Sequence, residues 1–290
     1  MTYNNRKPQK QGAHGVARVI SKRGYCSRSQ AEKLVCEGHV ILRGKPVRDP
    51  ESPAYENDEI LVDGKPVTAS DFVYFAMNKP RGIVTTASDE KGRKTVMDLF
   101  REEYAKMFPG KPMPHIAPVG RLDAASEGLL LFTNDTKWAD SMLQARESRD
   151  SNIILSGPSA SSGTLPNKFG EPIEPTHTHL KIYRVQVKGK PSDAELKQME
   201  KGFNVAPRVF GEKEEFMHAE RAVLHSDGEK NCWLEITLSE GKNREIRRML
   251  AHLGYEVLRL MRIQFDKFKL EDLKPGKIKI IQNSEFINQN

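Results

Sequence analysis

The 290-residue chain is poor in the features that would place it outside a cell or inside a membrane. It has three cysteines, Cys26, Cys36 and Cys232, an odd number at spacings that match no zinc or redox motif. A disulfide scaffold is therefore excluded, and a reducing, cytoplasmic location is expected. No apolar run approaches the roughly 18 residues needed to span a bilayer, so no membrane partner is expected. Met1 to His14 is polar and basic with no apolar segment behind it, which argues against a secretory signal and predicts a disordered basic arm over 1–13. Histidines are scattered; the one close pair, His177 and His179, has no carboxylate cluster beside it, and no metal site is predicted.

Acidic residues are scarce where they would matter most. The formal net charge is +7, yet residues 1–48 alone carry eleven Lys and Arg against two Glu. The whole excess can be assigned to this first part, and a polyanion such as nucleic acid is its natural partner. What is present otherwise reads as a globular protein: 37% hydrophobic and 29% charged residues, with length enough for two domains.

Val16, Val19 and Ile20 share a helical face that ends at Gly24. Ser27 to Gln30 is a capping box opening a second helix with Ala31, Leu34 and Val35 on its apolar side, stopped by Gly38. His39–Leu42 and Ile60–Val62 read as strands, each followed by a Gly-Lys-Pro-Val turn sequence. Phe72–Met77 is an apolar strand, Thr95 caps a short helix through Phe100, and Thr136 caps one carrying Trp138 and Met142. Residues 146–178, with their Ser/Gly-rich centre, read as a flexible insertion. Leu180–Val187 and Cys232–Leu238 are strands. Ser192 and Glu195 open a further helix between them. Asn243 is the expected N-cap of a helix closed by Gly254, with Ile246, Met249, Leu250 and Leu253 on one face and Arg244, Arg247 and Arg248 on the other. A strand through Val257, Leu258 and Leu260 follows, bearing Arg259 and Arg262.

Three separated pieces carry chemistry. Asp123 sits in the loop Gly120-Arg121-Leu122-Asp123, just ahead of the buried run Leu129–Phe132; Tyr183 lies on a strand; Arg247 lies on the arginine-bearing helix. Taken singly, each has an ordinary account: a turn cap, a half-buried strand aromatic, a surface cation.

Residues 14–69 resemble the S4 RNA-binding module, through Arg18, Gly24, Cys26-Ser27-Arg28, Ala31-Glu32, Gly38-His39-Val40, Leu42-Arg43-Gly44-Lys45 and Val62-Asp63-Gly64. That resemblance implies phosphate contacts from Arg18, Lys22, Arg23, Arg28 and Lys33. The Asp123 loop with its continuation Ser126–Asp135, together with Asn78-Lys79-Pro80, Lys181-x-Tyr183 and Glu240–Met249, is similar to the S4-containing pseudouridine synthases that act on ribosomal RNA. The resemblance implies an α+β fold with a mixed, mainly antiparallel sheet, an S4-like domain over 14–70 and a catalytic domain over 73–285. It further implies an isomerase with Asp123 as nucleophile, Arg247 as its ion-pair partner and Tyr183 stacked on a flipped base. Arg121, Arg244 and Arg248 become RNA contacts. No cofactor or metal is implied, the partner is ribosomal RNA or a pre-ribosomal particle, the 23S rRNA before the 16S, and a monomer is expected. Two alternatives stand beside it: a non-catalytic S4-type RNA-binding or ribosome-assembly factor, and a hydrolase pairing Asp123 with His115. Glu245 stands where related synthases often carry Gln.

Overall fold

The computed structural model describes residues 13–68, 71–86, 89–143, 179–207 and 213–282. The expected arm, apart from Ala13, and the expected insertion at 146–178 lie outside the described residues.

The first unit runs through β1 (His14–Gly15), α1 (Val16–Lys22), α2 (Arg28–Glu37), β2 (Val40–Leu42), β3 (Lys45–Val47), β4 (Pro53–Ala54), β5 (Ile60–Val62) and β6 (Lys65–Pro66). Ser27 and Gln30 form the reciprocal capping box, and Gly38 ends α2 at φ 87°, as their positions predict. The order β3-β2-β5-β6 makes a small antiparallel sheet. Its two outer hairpins turn at Arg43-Gly44 and Asp63-Gly64, where all four residues have positive φ, the geometry that matches strand twist in a two-residue turn. Val16, Val19, Ile20, Ala31, Val35, Val40, Ile60 and Val62 fill one core between the two helices and this sheet.

The second unit comprises β7 (Tyr74–Lys79), α3 (Val96–Met107), β8 (Ala117–Val119), β9 (Glu127–Thr133), α4 (Thr136–Leu143), β10 (Lys181–Lys188), α5 (Asp193–Lys201), β11 (Phe203–Val205), β12 (Glu215–Met217), β13 (Arg221–Ser226), β14 (Asn231–Leu238), α6 (Glu245–His252), β15 (Val257–Phe265), β16 (Phe268–Lys269) and β17 (Ile278–Ile280). The main sheet runs β13-β14-β10-β15-β9-β7-β17. Its one parallel pairing is β9 with β15, so the sheet is mixed and mainly antiparallel.

β9 is the central fact of this sheet. Four consecutive large apolar residues suit a strand buried on both faces, and here Leu130 and Phe132 enter one core while Leu129 and Leu131 enter another. The first core is closed by Val96, Met97, Phe100 and Tyr104 of α3 and by Ile246, Met249 and Leu250 of α6. Gly128 is required at the start of β9: a Cβ there would lie 2.3 Å from the backbone oxygen of Arg262 on β15. That close approach holds the Asp123 loop, which leads directly into β9, against the middle of the sheet.

Several expected details differ. α3 extends to Met107, well past Phe100. The side chain capping α4 belongs to Asp135, whose Oδ1 accepts from Trp138 N at 3.0 Å, and not to Thr136. The N-cap of α6 is Arg244 rather than Asn243, in left-handed conformation with φ 54° and no side-chain cap bond. The units meet at Glu56, whose carboxylate lies 3.2 Å from both Lys22 of α1 and Lys137 of α4.

Candidate active site

A cavity of about 890 Å³ opens where the Asp123 loop, β10, β15 and the approach to α6 converge. Asp123, Arg121, Tyr183 and Arg244 all line it, so four residues named from the sequence are brought together. His115 does not line it and makes no hydrogen bond or ion pair with Asp123 among the described residues, so the hydrolase pair is not brought together. Six lining cations against three carboxylates give the cavity a positive balance suited to a polyanion.

The loop is held carbonyl by carbonyl. Thr85 Oγ1 donates to Leu122 O at 2.7 Å, and Gly82 N donates to Ala124 O at 2.6 Å. Lys79 Nζ donates to Asp123 O at 3.1 Å and Ser126 O at 2.7 Å, and Arg247 Nη2 donates to Ala125 O at 3.1 Å. Lys79 is fully buried at the end of β7, and burial drives its pKa down to about 8, with Asp123 and Glu127 opposing the shift. A loop fixed at each carbonyl from Leu122 to Ser126 presents the Asp123 side chain with little further ordering cost, the condition for effective positioning.

The carboxylate itself pairs with Arg244, Nη1 to Oδ2 at 3.2 Å, and both side chains are nearly two-fifths exposed. This corrects the expected Asp123–Arg247 pair. Arg247 is directed behind the loop, where it donates to Ala125 O and to Val257 O at 3.2 Å. Its pKa is lowered, by burial first and then by the neighbouring Arg244 charge, while Asp123 acts on it favourably through space. The physical reason for the exchange is the left-handed Arg244 backbone, which takes that residue out of the helical i, i+3 register.

The three arginines therefore do not form one stripe. Arg248 pairs with Glu215 on β12 at 2.5 Å and donates to Ala206 O at 3.2 Å, tying α6 to the β11–β12 hairpin. It is removed from the set of free RNA contacts. Arg121 is exposed and lines the cavity, with no ion pair among the described residues.

Tyr183 is 8% exposed, at the cavity wall on β10, directly across the ladder from Arg262 of β15. Glu245 is a buried lining residue of the same cavity: 4% exposed, its carboxylate accepting from Lys242 N at 3.1 Å. Burial raises its pKa to about 7, against the opposing pull of that hydrogen bond and the Lys242 charge. Lys79, Lys181 and Arg262 were missed as site residues. Strand alternation could have found the last two, since Lys181 falls in phase with the inward Tyr183, Val185 and Val187, and Arg262 in phase with Leu260.

In the first unit the five expected phosphate contacts separate. Arg18 and Lys33 are exposed, Arg18 with no partner among the described residues and Lys33 only 3.8 Å from Glu37. Arg28 pairs with Glu32 at 3.0 Å and Glu51 at 3.3 Å. Lys22 and Arg23 are structural: Lys22 joins Glu56, and Arg23 donates to Val67 O at 2.6 Å, Glu56 O at 3.0 Å and Asp58 O. The Glu56 carboxylate takes the place of a phosphate at Lys22, and backbone carbonyls do so at Arg23.

Among the described residues, no group of three or more His, Cys, Asp or Glu is arranged to hold a metal ion. No described helix is long and apolar enough to cross a membrane.

Comparison with known proteins finds one family. The family described as RNA pseudouridylate synthase matches residues 73–252, and the S4 domain matches residues 16–60. Ribosomal large subunit pseudouridine synthase B of Bacillus subtilis is 30% identical over 262 residues, covering 90% of this chain and 89% of the relative. An uncharacterized RNA pseudouridine synthase of Rickettsia felis is 32% identical over 272 residues, 92% of this chain and 96% of the relative. A crystal structure of a pseudouridylate synthase superposes with a TM-score of 0.55 at 24% identity, covering 94% of this chain and 97% of that one, a likeness of fold.

Proposed function

Since this chain belongs to the RNA pseudouridylate synthase family, we propose that it converts a uridine of ribosomal RNA, in the large subunit, to pseudouridine, with Asp123 as the nucleophile. The carrying observation is Asp123 itself, fixed by its loop carbonyls in a positively balanced cavity that Tyr183 also lines, and paired with Arg244. The large-subunit target rests on the name of the Bacillus subtilis relative.

The chemistry is an isomerisation. The N1–C1′ bond breaks, the base turns, the C5–C1′ bond forms, C5 loses a proton and N1 gains one. No electron transfer or energy source is required, so a carboxylate, a base-stacking aromatic and charge compensation suffice. Asp123 acts on the sugar, either by bonding to C1′ or by taking the C2′ proton. Tyr183 stacks on the flipped base and assists removal of the C5 proton. Arg244 compensates the carboxylate charge, and Arg247 positions the loop from behind. Arg121, at the cavity rim, holds the opened RNA.

The S4-like unit over 14–70 delivers RNA through Arg18 and Lys33, with Arg28 beside them, to a catalytic domain over 73–285. Phosphate contacts of this kind set position and carry no base code. The protein acts as a monomer in the cytoplasm on ribosomal RNA or a pre-ribosomal particle. The non-catalytic alternative is disfavoured by the intact cavity.

Asp123→Asn tests the assignment: pseudouridine formation is lost while RNA affinity changes by less than about twofold, because the substitution leaves volume and phosphate contacts alone. Retained turnover refutes Asp123 as nucleophile. Pseudouridine mapping of ribosomal RNA from cells with and without the gene identifies the target, and an unchanged large-subunit map refutes the proposed substrate.

A further inference from the structure

The cavity carries a second set of charges beyond the groups assigned above. Lys181 and Arg262 line it from adjacent strands, one two residues before Tyr183 and the other directly across the ladder from it. Lys181 is 6% exposed and Arg262 3%. Both cations lie over one ring, that of Phe265, at 5.1 Å and 5.0 Å from its centroid. Among the described residues neither is hydrogen-bonded to a carboxylate. Arg262 Nε donates to Leu129 O at 2.8 Å, but its buried Nη2 has no partner. Lys181 Nζ reaches only the carbonyls of His179, Ser239 and Glu240, at 3.4 to 3.5 Å. Burial, then the Arg262 charge, lowers the Lys181 pKa to about 8, against Glu245 and Glu240. Two crowded cations with slack or missing acceptors cost stability where they stand, and a buried donor without a partner calls for one.

We propose that Arg262 and Lys181 donate to the carbonyl oxygens of the flipped uracil and stabilise the negative charge that the base carries once its bond to C1′ is broken. This rests on the pseudouridine synthase reading of the cavity. Heterolysis of N1–C1′ leaves the electron pair on the base, spread over N1, O2 and O4, whether Asp123 bonds to C1′ or takes the C2′ proton. The pair is used when C5 bonds to C1′; the C5 proton then leaves and N1 gains one, so no further reactant is needed. An uncharged uridine gains little from two buried cations, whereas the detached anion gains most, so the interaction strengthens where the bond breaks. Turning the base about its N3–C6 axis exchanges O2 with O4. Donors on two sides of Tyr183 therefore meet a carbonyl oxygen before and after the turn.

The test is single-turnover kinetics on unmodified large-subunit ribosomal RNA transcribed in vitro, together with the RNA Kd, for wild type, Arg262→Gln, Arg262→Lys and Lys181→Met. Arg262→Gln lowers the rate by roughly 100- to 1,000-fold, the usual loss for one preorganised donor, with Kd within about twofold. Arg262→Lys recovers about tenfold because it restores the charge without the planar fork. With 5-fluorouridine in the RNA, the loss in N-glycoside cleavage shrinks, because fluorine stabilises the ring anion unaided. A folded Arg262→Gln protein with wild-type rate, with the loss expressed in Kd alone, or with equal losses on both substrates overturns the proposal. Where Arg262→Gln does not fold, Lys181→Met carries the same expectation, at least a tenfold rate loss, and a wild-type rate there overturns it. A wild-type protein that forms no pseudouridine refutes the underlying function instead.

Discussion

Glu245 offers a test of the site's electrostatics that needs no RNA. Its carboxyl is 4% exposed, and burial raises its pKa from 4.5 to about 7. Between those values the folded protein binds a proton that the unfolded chain does not, so the contribution to stability is fully present below pH 4.5 and is lost as pH rises through 7. A shift of that size corresponds to about 3 kcal/mol of burial cost borne above pH 7. Glu245→Gln keeps an acceptor for Lys242 N–H and removes the charge. The attraction to Lys242 is already contained in that net shift, and the substitution adds only a buried amide N–H₂ that needs an acceptor, at a cost of about 1 to 2 kcal/mol. The substitution is therefore expected to stabilise the protein by about 1 to 2 kcal/mol at pH 8.5 and to be neutral or slightly destabilising at pH 4.5. The assay is urea unfolding at both values followed by tryptophan fluorescence. Both tryptophans, Trp138 and Trp233, lie in the second unit, so the signal reports the unit that holds Glu245. Equal effects at the two pH values, or destabilisation at pH 8.5, refute the buried, proton-binding carboxyl.

Lys79→Met removes the ammonium that holds Asp123 O and Ser126 O, and pseudouridine formation should fall about 100-fold with RNA affinity kept, as expected for a misplaced nucleophile. The Lys79 pKa is about 8 folded and 10.5 unfolded, so the unfolded chain binds more protons in that window and stability rises with pH there; a variant whose stability still climbs as steeply as wild type contradicts the assignment. Gly128→Ala should cost about 3 kcal/mol or more, because its Cβ meets Arg262 backbone at 2.3 Å. Gly44→Ala, where no atom lies within 4 Å of the new Cβ, should cost only about 1 kcal/mol of positive-φ strain, and comparable melting temperatures for the two would contradict the close approach. Arg18→Ala should weaken RNA binding and flatten its salt dependence at unchanged stability, whereas Arg23→Ala should destabilise the first unit by freeing three carbonyls; the reverse pattern would return Arg23 to the RNA surface.

Much of the fold was legible because its signals are local. The Ser27 and Ser192 capping boxes, the two Gly-turn hairpins and the four-residue apolar run of β9 each act within a few residues. The loop around Asp123 was legible as chemistry only through its resemblance to the synthase motif, since on its own the aspartate reads equally as a turn cap. Alternation on β10 held the position of Lys181 as well, although its lysine reads as surface charge until a neighbouring strand covers it.

By itself the sequence determined the two units, the strands and helices that build them, the concentration of positive charge in the first and the loop that brings Asp123 to the cavity of the second. Only the tertiary structure decided which partner each charge takes. Arg244, Arg247 and Arg248 have identical side chains at helical spacing, and nothing local separates them; a left-handed residue at the helix start sends one to Asp123, one to the loop carbonyls and one to Glu215. The same holds for Lys22 and Arg23 against Arg18, which differ in what the 54–58 segment brings beside them. Periodicity follows from backbone geometry along one element, whereas an ion pair or a buried hydrogen bond depends on a group that arrives from a distant part of the chain.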